Sequence, residues 1–142
     1  MSARRVIKVA CAIIERDRRF LTTRRGTGQR ALLWEFPGGK CRPGETTNAC
    51  IVREIREELG ITVRPLRELP PVRWRYPDVT IILHPVVCRY QKGRIVLHGH
   101  TAAKWIIPTE ASQYTWCGAD QPILEEYLVR RRPCTRVFAS RQ

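Results

Sequence analysis

The stretch from Gly38 to Ile61 constrains this chain more than any other. Thr46 to Leu59 carries Ile51, Ile55 and Leu59 at helical spacing, and Gly60 stands where a left-handed C-cap belongs, with Ile61 as its apolar contact. The spacing predicts a helix over 46–59 whose Ile-Ile-Leu stripe faces a core. At about 100° per residue, Glu57 lies about 60° to one side of Glu54 and Glu58 about 40° to the other, so all three share an arc of about 100°. Like charges so placed destabilise a helix by roughly 0.2–0.5 kcal/mol per pair. A solvated face eased by Arg53 and Arg56 explains this poorly, because 26 Lys and Arg against 13 Asp and Glu left many bases to intersperse. Clustered carboxylate oxygens suit a hard divalent cation, which would hold phosphate oxygens and activate a water. Gly38, Gly39 and Gly44, just ahead of the helix, allow tight turns and close approach of backbone to such a group.

The rest of the chain reads as a mixture of strands and helices without repeats or a dividing linker. Val6 to Glu15 is an apolar strand, Arg16-Asp17-Arg18 a turn, and Arg19 to Thr23 the return strand. A loop over 25–30 and a short apolar piece, Leu32 to Phe36, precede Pro37-Gly38-Gly39. Strands are expected at Val72 to Arg75, Val79 to Arg89, Ile95 to Leu97 and Ala103 to Ile107. A final helix starts near Asp120 and Pro122 and carries Ile123, Leu124, Tyr127 and Leu128 on one side. The expected organisation is one α/β domain over 1–129 and a basic tail over 130–142.

Composition narrows the class. A chain of 142 residues that is 43% hydrophobic can bury a core and is no disordered polycation. No apolar run approaches the ~20 residues of a membrane span. Six irregularly spaced cysteines and three scattered histidines form no zinc pattern, and reduced thiols in a cytoplasm are the expectation. The net charge of +13 points to a polyanion. The tail holds Arg130, Arg131, Arg132, Arg136 and Arg141 without an acid, yet the body is basic without it.

The full spacing is Gly39, five residues, Glu45, seven residues, then Arg53-Glu54-Ile55-Arg56-Glu57-Glu58-Leu59-Gly60-Ile61. This resembles the Nudix box without a departure. The MutT-like branch is resembled further by the hairpin ending in Arg24-Arg25, Trp34-Glu35-Phe36-Pro37-Gly38-Gly39-Lys40, Tyr76-Pro77-Asp78 and Ala119-Asp120-Gln121-Pro122. The resemblance spans Arg5 to Leu128. It implies a Nudix fold, a mixed β-sheet between helices with the box as a loop–helix–loop. It implies a hydrolase that cuts a nucleoside triphosphate, of the 8-oxo-dGTP or CTP type, to monophosphate and pyrophosphate for nucleotide-pool sanitation and DNA repair. Mg²⁺, or Mn²⁺, would be held by Glu54, Glu57 and Glu58 with the Gly38 carbonyl, and Glu54, Glu57 and Arg53 would form the catalytic set. Glu45 and Arg53 would brace the loop against the helix. The implied partner is the free nucleotide, with neither nucleic acid nor membrane required, and the chain would be a monomer or homodimer.

Arg25 and Arg30 are phosphate or sugar-side candidates, since a guanidinium pairs with phosphate in a bidentate way. Trp34, Tyr76 and Leu83 are candidates to wall the base. Asp120 reads both as a helix N-cap and as the base-reading position of MutT-like chains, where an acceptor-only carboxylate would pair with ring N–H groups or an exocyclic amine. One position departs from the resembled branch. Gly99, in Leu97-His98-Gly99-His100, stands where that branch often has a glutamate that binds metal or activates water. Its absence leaves the general base open among Glu57, His98 and His100, with both histidines expected on a surface turn. The alternatives are an enzyme that removes 5′ pyrophosphate from RNA, with Arg73-Trp74-Arg75-Tyr76 as the one basic-aromatic stretch, and a weakly active nucleotide-binding module.

Overall fold

The apolar run near the N-terminus has no alternation because both of its faces are covered. In the computed structural model, which describes residues 5–26 and 32–131, this run is β1 (Arg5–Arg16). Ala10, Ala12 and Ile14 point to one cluster with Leu21, Cys50, Ile51, Ile55 and Leu59. Cys11 and Ile13 point to the other, with Phe20, Phe36, Leu83, Trp116, Ile123 and Tyr127. The helix α1 (Thr47–Leu59) thus covers one face and α2 (Gln121–Arg130) the other, which makes the expected mixed sheet between helices.

β1 pairs in parallel with β7 (Val79–Lys92) from Arg5↔Val79 to Glu15↔Arg89. It also begins a hairpin with β2 (Arg19–Arg25), closed by Asp17 (φ 50°) and Arg18 (φ 64°). Two positive φ values in a two-residue loop match the twist of a hairpin. The hairpin holds only for Glu15↔Phe20 and Arg16↔Arg19, after which the two strands separate. The split is filled by Glu35 to Lys40. β3 (Trp34–Glu35) pairs with β2, β4 (Gly38–Lys40) pairs with β1, and Ala12 N donates to Pro37 O at 2.8 Å. A Cβ at Gly38 would collide with Ala10 O and Cys11 Cα, so this close approach requires glycine.

Three expectations need correction. Thr62–Glu68 is a strand, β5, absent from the expected set because Pro65 and its polar neighbours mask the pattern. It pairs with one edge of β7, and a register shift between Pro65 and Arg67 absorbs the proline. A further strand, β6 (Val72–Arg75), also pairs with β7. Ile95 to Leu97 is not a strand. There Val96 N donates to Leu59 O (2.9 Å) and His98 N to Glu58 O (3.1 Å), so the segment satisfies carbonyls at the end of α1. The last strand, β8 (His100–Ile106), starts three residues earlier than expected and pairs with β2. Cys11, Cys41, Cys50, Cys88 and Cys117 are all free thiols, and no helix among the described residues is long and apolar enough to cross a membrane.

Candidate active site

α1 ends at Gly60 as expected, and Thr46, expected as its first residue, is instead its N-cap. The Thr46 hydroxyl accepts from Ala49 N (3.1 Å), and Gly60 at φ 72° donates its N–H to Arg56 O (3.0 Å). With Ile51, Ile55 and Leu59 buried, Glu54 lies against Gly39 of the Gly38–Lys40 strand and Glu58 lines a hollow with Gly38. Arg53 ties loop to helix. Its Nε and NH2 grip both oxygens of Glu45 (2.7 and 2.8 Å), NH2 also reaches Lys40 O (3.2 Å), and NH1 meets Glu54 (2.8 Å) and Glu57 (3.3 Å). The Arg53 guanidinium and the Arg42 amide hold the Glu45 carboxyl down at about 2. Arg53 therefore joins the helix to the loop through Glu45 and Lys40.

Glu58 is in the opposite state. Burial, then contact with the Glu54 carboxyl, push it up to about 8. Glu57 is half-exposed and pairs with Arg53 and, at 3.7 Å, with Arg42.

The strand pairing builds a second group of side chains. β3 and β8 flank the C-terminal end of β2, which sets Glu35 and His100 on either side of Arg25. Glu35 receives Arg25 Nε on Oε1 (3.0 Å) and lies 3.2 Å from His100 Nε2 through Oε2. The other ring nitrogen, His100 Nδ1, is 3.9 Å from Glu58 Oε2 and has no hydrogen-bond partner although it is buried. His100 thus corrects the expectation of a surface histidine, since its side chain is only 8% exposed, whereas His98 is exposed. The reason is that His100 is the first residue of β8 rather than part of the turn before it.

Two hollows meet at Arg25, Glu35 and Gly38. One, of about 460 Å³, has an apolar wall including Leu83 and Tyr76 and is lined by Asp120. The other, of about 400 Å³, is lined by Glu58, His98, Gly99 and His100. Arg25, Gly38, Tyr76, Leu83 and Asp120 therefore come together as expected candidates. Trp34 does not line either hollow. Its ring packs edge-on against Tyr114 with centroids 4.9 Å apart, while Arg24 lies over it, because Trp34 points away from the cleft on β3. Arg30 lies outside the described residues.

Asp120 does not cap α2 with its side chain. Its backbone is already helical (φ −85°, ψ −18°), and Oδ1 accepts from Phe36 N at 3.2 Å from a buried position. Glu35, Cys117 and Asp120 bring their ligand-type atoms within 4.8 Å of one another at the cleft. Sequence reasoning missed Glu35 as a site residue. Its one signal is an acid inside an otherwise apolar Trp-Glu-Phe-Pro run.

The chain matches the NUDIX domain family over residues 4–136. It is 38% identical over 128 residues to the CTP pyrophosphohydrolase of Escherichia coli K12, covering 89% of this chain and 95% of that one. It is 37% identical over 79 residues to the 8-oxo-dGTP diphosphatase of the same organism, covering 54% of this chain and 61% of that one. Among solved structures, the solution structure of the E. coli ORF135 protein superposes with a TM-score of 0.80 at 37% identity, covering 92% and 96% of the two chains. The MutT Nudix hydrolase of Burkholderia pseudomallei shares the fold at a TM-score of 0.76 and 24% identity, covering 86% and 98%. Family match, box and fold agree: the chain belongs to the Nudix family and is a Nudix hydrolase.

Proposed function

We propose that this chain is a Mg²⁺-dependent nucleoside triphosphate pyrophosphohydrolase that releases nucleoside monophosphate and pyrophosphate. The reading rests on one observation above the others. A hollow with an apolar wall and a buried carboxylate adjoins a hollow lined by Glu58 and His100, and Arg25 stands at the junction. A nucleoside triphosphate has the same division, with a flat base at one end and anionic oxygens at the other. The donor set fits a hard cation, because burial and then contact with the Glu54 carboxyl raise Glu58, and a cation between the two would favour their charged forms. Glu54, Glu57 and Glu58 would hold Mg²⁺ or Mn²⁺ with the Gly38 carbonyl. When bound, the ion neutralises charge at phosphorus and lowers the pKa of a water.

The chain's own residues divide the remaining work. Arg25 meets phosphate oxygens, Arg53 keeps the helix carboxylates in place, and Tyr76 and Leu83 exclude water from the base. Asp120, whose Oδ1 accepts from Phe36 N, brings an acceptor-only carboxylate to the wall of the base-side hollow. An acceptor at that place suits the exocyclic amine of cytosine, and the similarity to a CTP pyrophosphohydrolase over most of both chains supports a CTP-type substrate. An 8-oxo-dGTP substrate presents N–H donors too, so both belong in the same trial. Such an enzyme would clean the nucleotide pool in the cytoplasm and spare DNA repair. The hydrolase unit would end at residue 129, with 130–142 a basic appendage. A panel of triphosphates incubated with Mg²⁺ and resolved by chromatography tests the proposal. Monophosphate and pyrophosphate from CTP-type or 8-oxo-dGTP substrates support it, and inertness toward every triphosphate refutes it.

A further inference from the structure

The environment of His100 carries one step more, which rests on the metal reading above. Its Nε2 faces Glu35 Oε2 at 3.2 Å, and the other Glu35 oxygen is occupied by Arg25. A carboxylate accepts hydrogen bonds only, so the ring proton of the neutral imidazole belongs on Nε2 and the lone pair on Nδ1. That lone pair is buried, has no hydrogen-bond partner, and points at Glu58 Oε2 from 3.9 Å. The Nδ1 lone pair thus faces a carboxyl oxygen from beyond hydrogen-bond distance, and an unsatisfied buried acceptor is costly. A cation between them resolves the mismatch. A histidine that donates one ring N–H to a carboxylate while its other nitrogen binds metal is a common arrangement, in which the carboxylate fixes tautomer and ring orientation.

We propose that His100 Nδ1 is a ligand of the divalent cation, beside Glu58, with Glu35 as the outer carboxylate that orients it. Gly99 gives this a reason. It sits at φ 94° with open space around it and contributes no side chain to the hollow. The next residue, at the start of β8, supplies a nitrogen instead. A nitrogen among oxygen ligands moves preference from Mg²⁺ toward Mn²⁺ and Co²⁺, since imidazole suits transition metals better than alkaline earths. The chain would then bind Mn²⁺ more tightly, relative to Mg²⁺, than an all-oxygen site.

Pulsed electron paramagnetic resonance of the full chain loaded with Mn²⁺ tests this. We expect nitrogen hyperfine coupling from a directly bound imidazole, its loss in His100→Gln, and its survival in His98→Gln. Mn²⁺ affinity, read by calorimetry, should fall roughly tenfold to a hundredfold in His100→Gln, and Mg²⁺ affinity by less. Thermal melts of each variant establish that it is folded, and Glu35→Ala provides a second route, since a freed ring should weaken or broaden the same coupling. Bound Mn²⁺ without nitrogen coupling in the unsubstituted chain overturns the role of His100 and leaves the carboxylate site standing. Failure of the unsubstituted chain to take up Mn²⁺ at all overturns the metal site itself, and the inference with it.

Discussion

Glu45 and Glu58 belong to the same loop–helix unit, and their surroundings drive them in opposite directions. Glu45 accepts from Arg53 and the Arg42 amide and is held at about 2. Glu58 is partly buried beside Glu54 and within reach of the Glu35 charge, and is raised to about 8. The difference separates two uses of a carboxylate. Glu45 is satisfied by the protein and serves the architecture. Glu58 is left short of positive charge, and a group held in that condition is arranged for something the chain does not itself supply.

The sharpest way to break the comparison is to neutralise each in turn. Glu58→Gln should lower kcat by on the order of a hundredfold to a thousandfold, the scale of losing a group that stabilises transition-state charge. The same change should raise the melting temperature of the metal-free protein, because a neutral amide replaces a carboxyl that resists burial. Glu45→Gln should lower activity and melting temperature together, by loosening the grip of Arg53 on the loop. Steady-state kinetics with parallel thermal melts would distinguish the patterns, and a Glu58→Gln protein that is less stable without metal would contradict the contrast.

Acid and base titration should sharpen it. Glu58 binds its proton more tightly when folded than at its ordinary value of 4.5, so the metal-free protein should lose stability as pH rises from about 4.5 to about 8. Glu45 has the reverse sign. Its contribution is present above about 4.5 and disappears as pH falls toward about 2. Melts in chelator across this range check both slopes. Added Mg²⁺ should stabilise most at the alkaline end, where Glu58 is free of its proton.

A smaller effect is expected at the other hollow. Asp120→Asn retains an oxygen for Phe36 N, so the fold should hold, while the carboxylate at the wall of that hollow becomes a neutral amide that can donate as well as accept. The ratio of kcat/KM for CTP over 8-oxo-dGTP should fall about tenfold, the scale of one hydrogen bond to a buried charged group. The smallest effect is expected for Gly99→Glu. The space is open, but φ 94° strains any side chain there by roughly 1–3 kcal/mol. We expect a modest loss of melting temperature and little gain in rate, because His100 already faces that hollow. A large gain in rate would show that the missing acid matters more than the imidazole.

What could be read from the sequence follows the range of the interactions. The box helix, its Gly60 end and its glutamate face depend on residues within a few positions, and these were legible. The group around Glu35 was not, because it is made by strand pairing. Glu35 and His100 stand 65 positions apart, and Asp120 reaches Phe36 across 84. Asp120 also shows a local preference overridden, since a good capping residue gave its oxygen to a distant amide. Trp34 was misplaced for a related reason. An aromatic beside a turn carries no sign of which side of a two-residue strand it will face.

The split hairpin and the parallel pairing of β1 with β7 bear on how the chain assembles. Arg5 must find Val79 across roughly 70 residues, and loop closure over such a span slows folding more than it weakens the product. Until that pairing forms, α1 can lay Ile51, Ile55 and Leu59 only on the β1–β2–β4 part of the sheet, without Val86 and Cys88 of β7. On a ribosome, the acidic helix would be synthesised well before the surface that makes it useful. The glutamate face of the metal site is therefore early in sequence and complete only late in time.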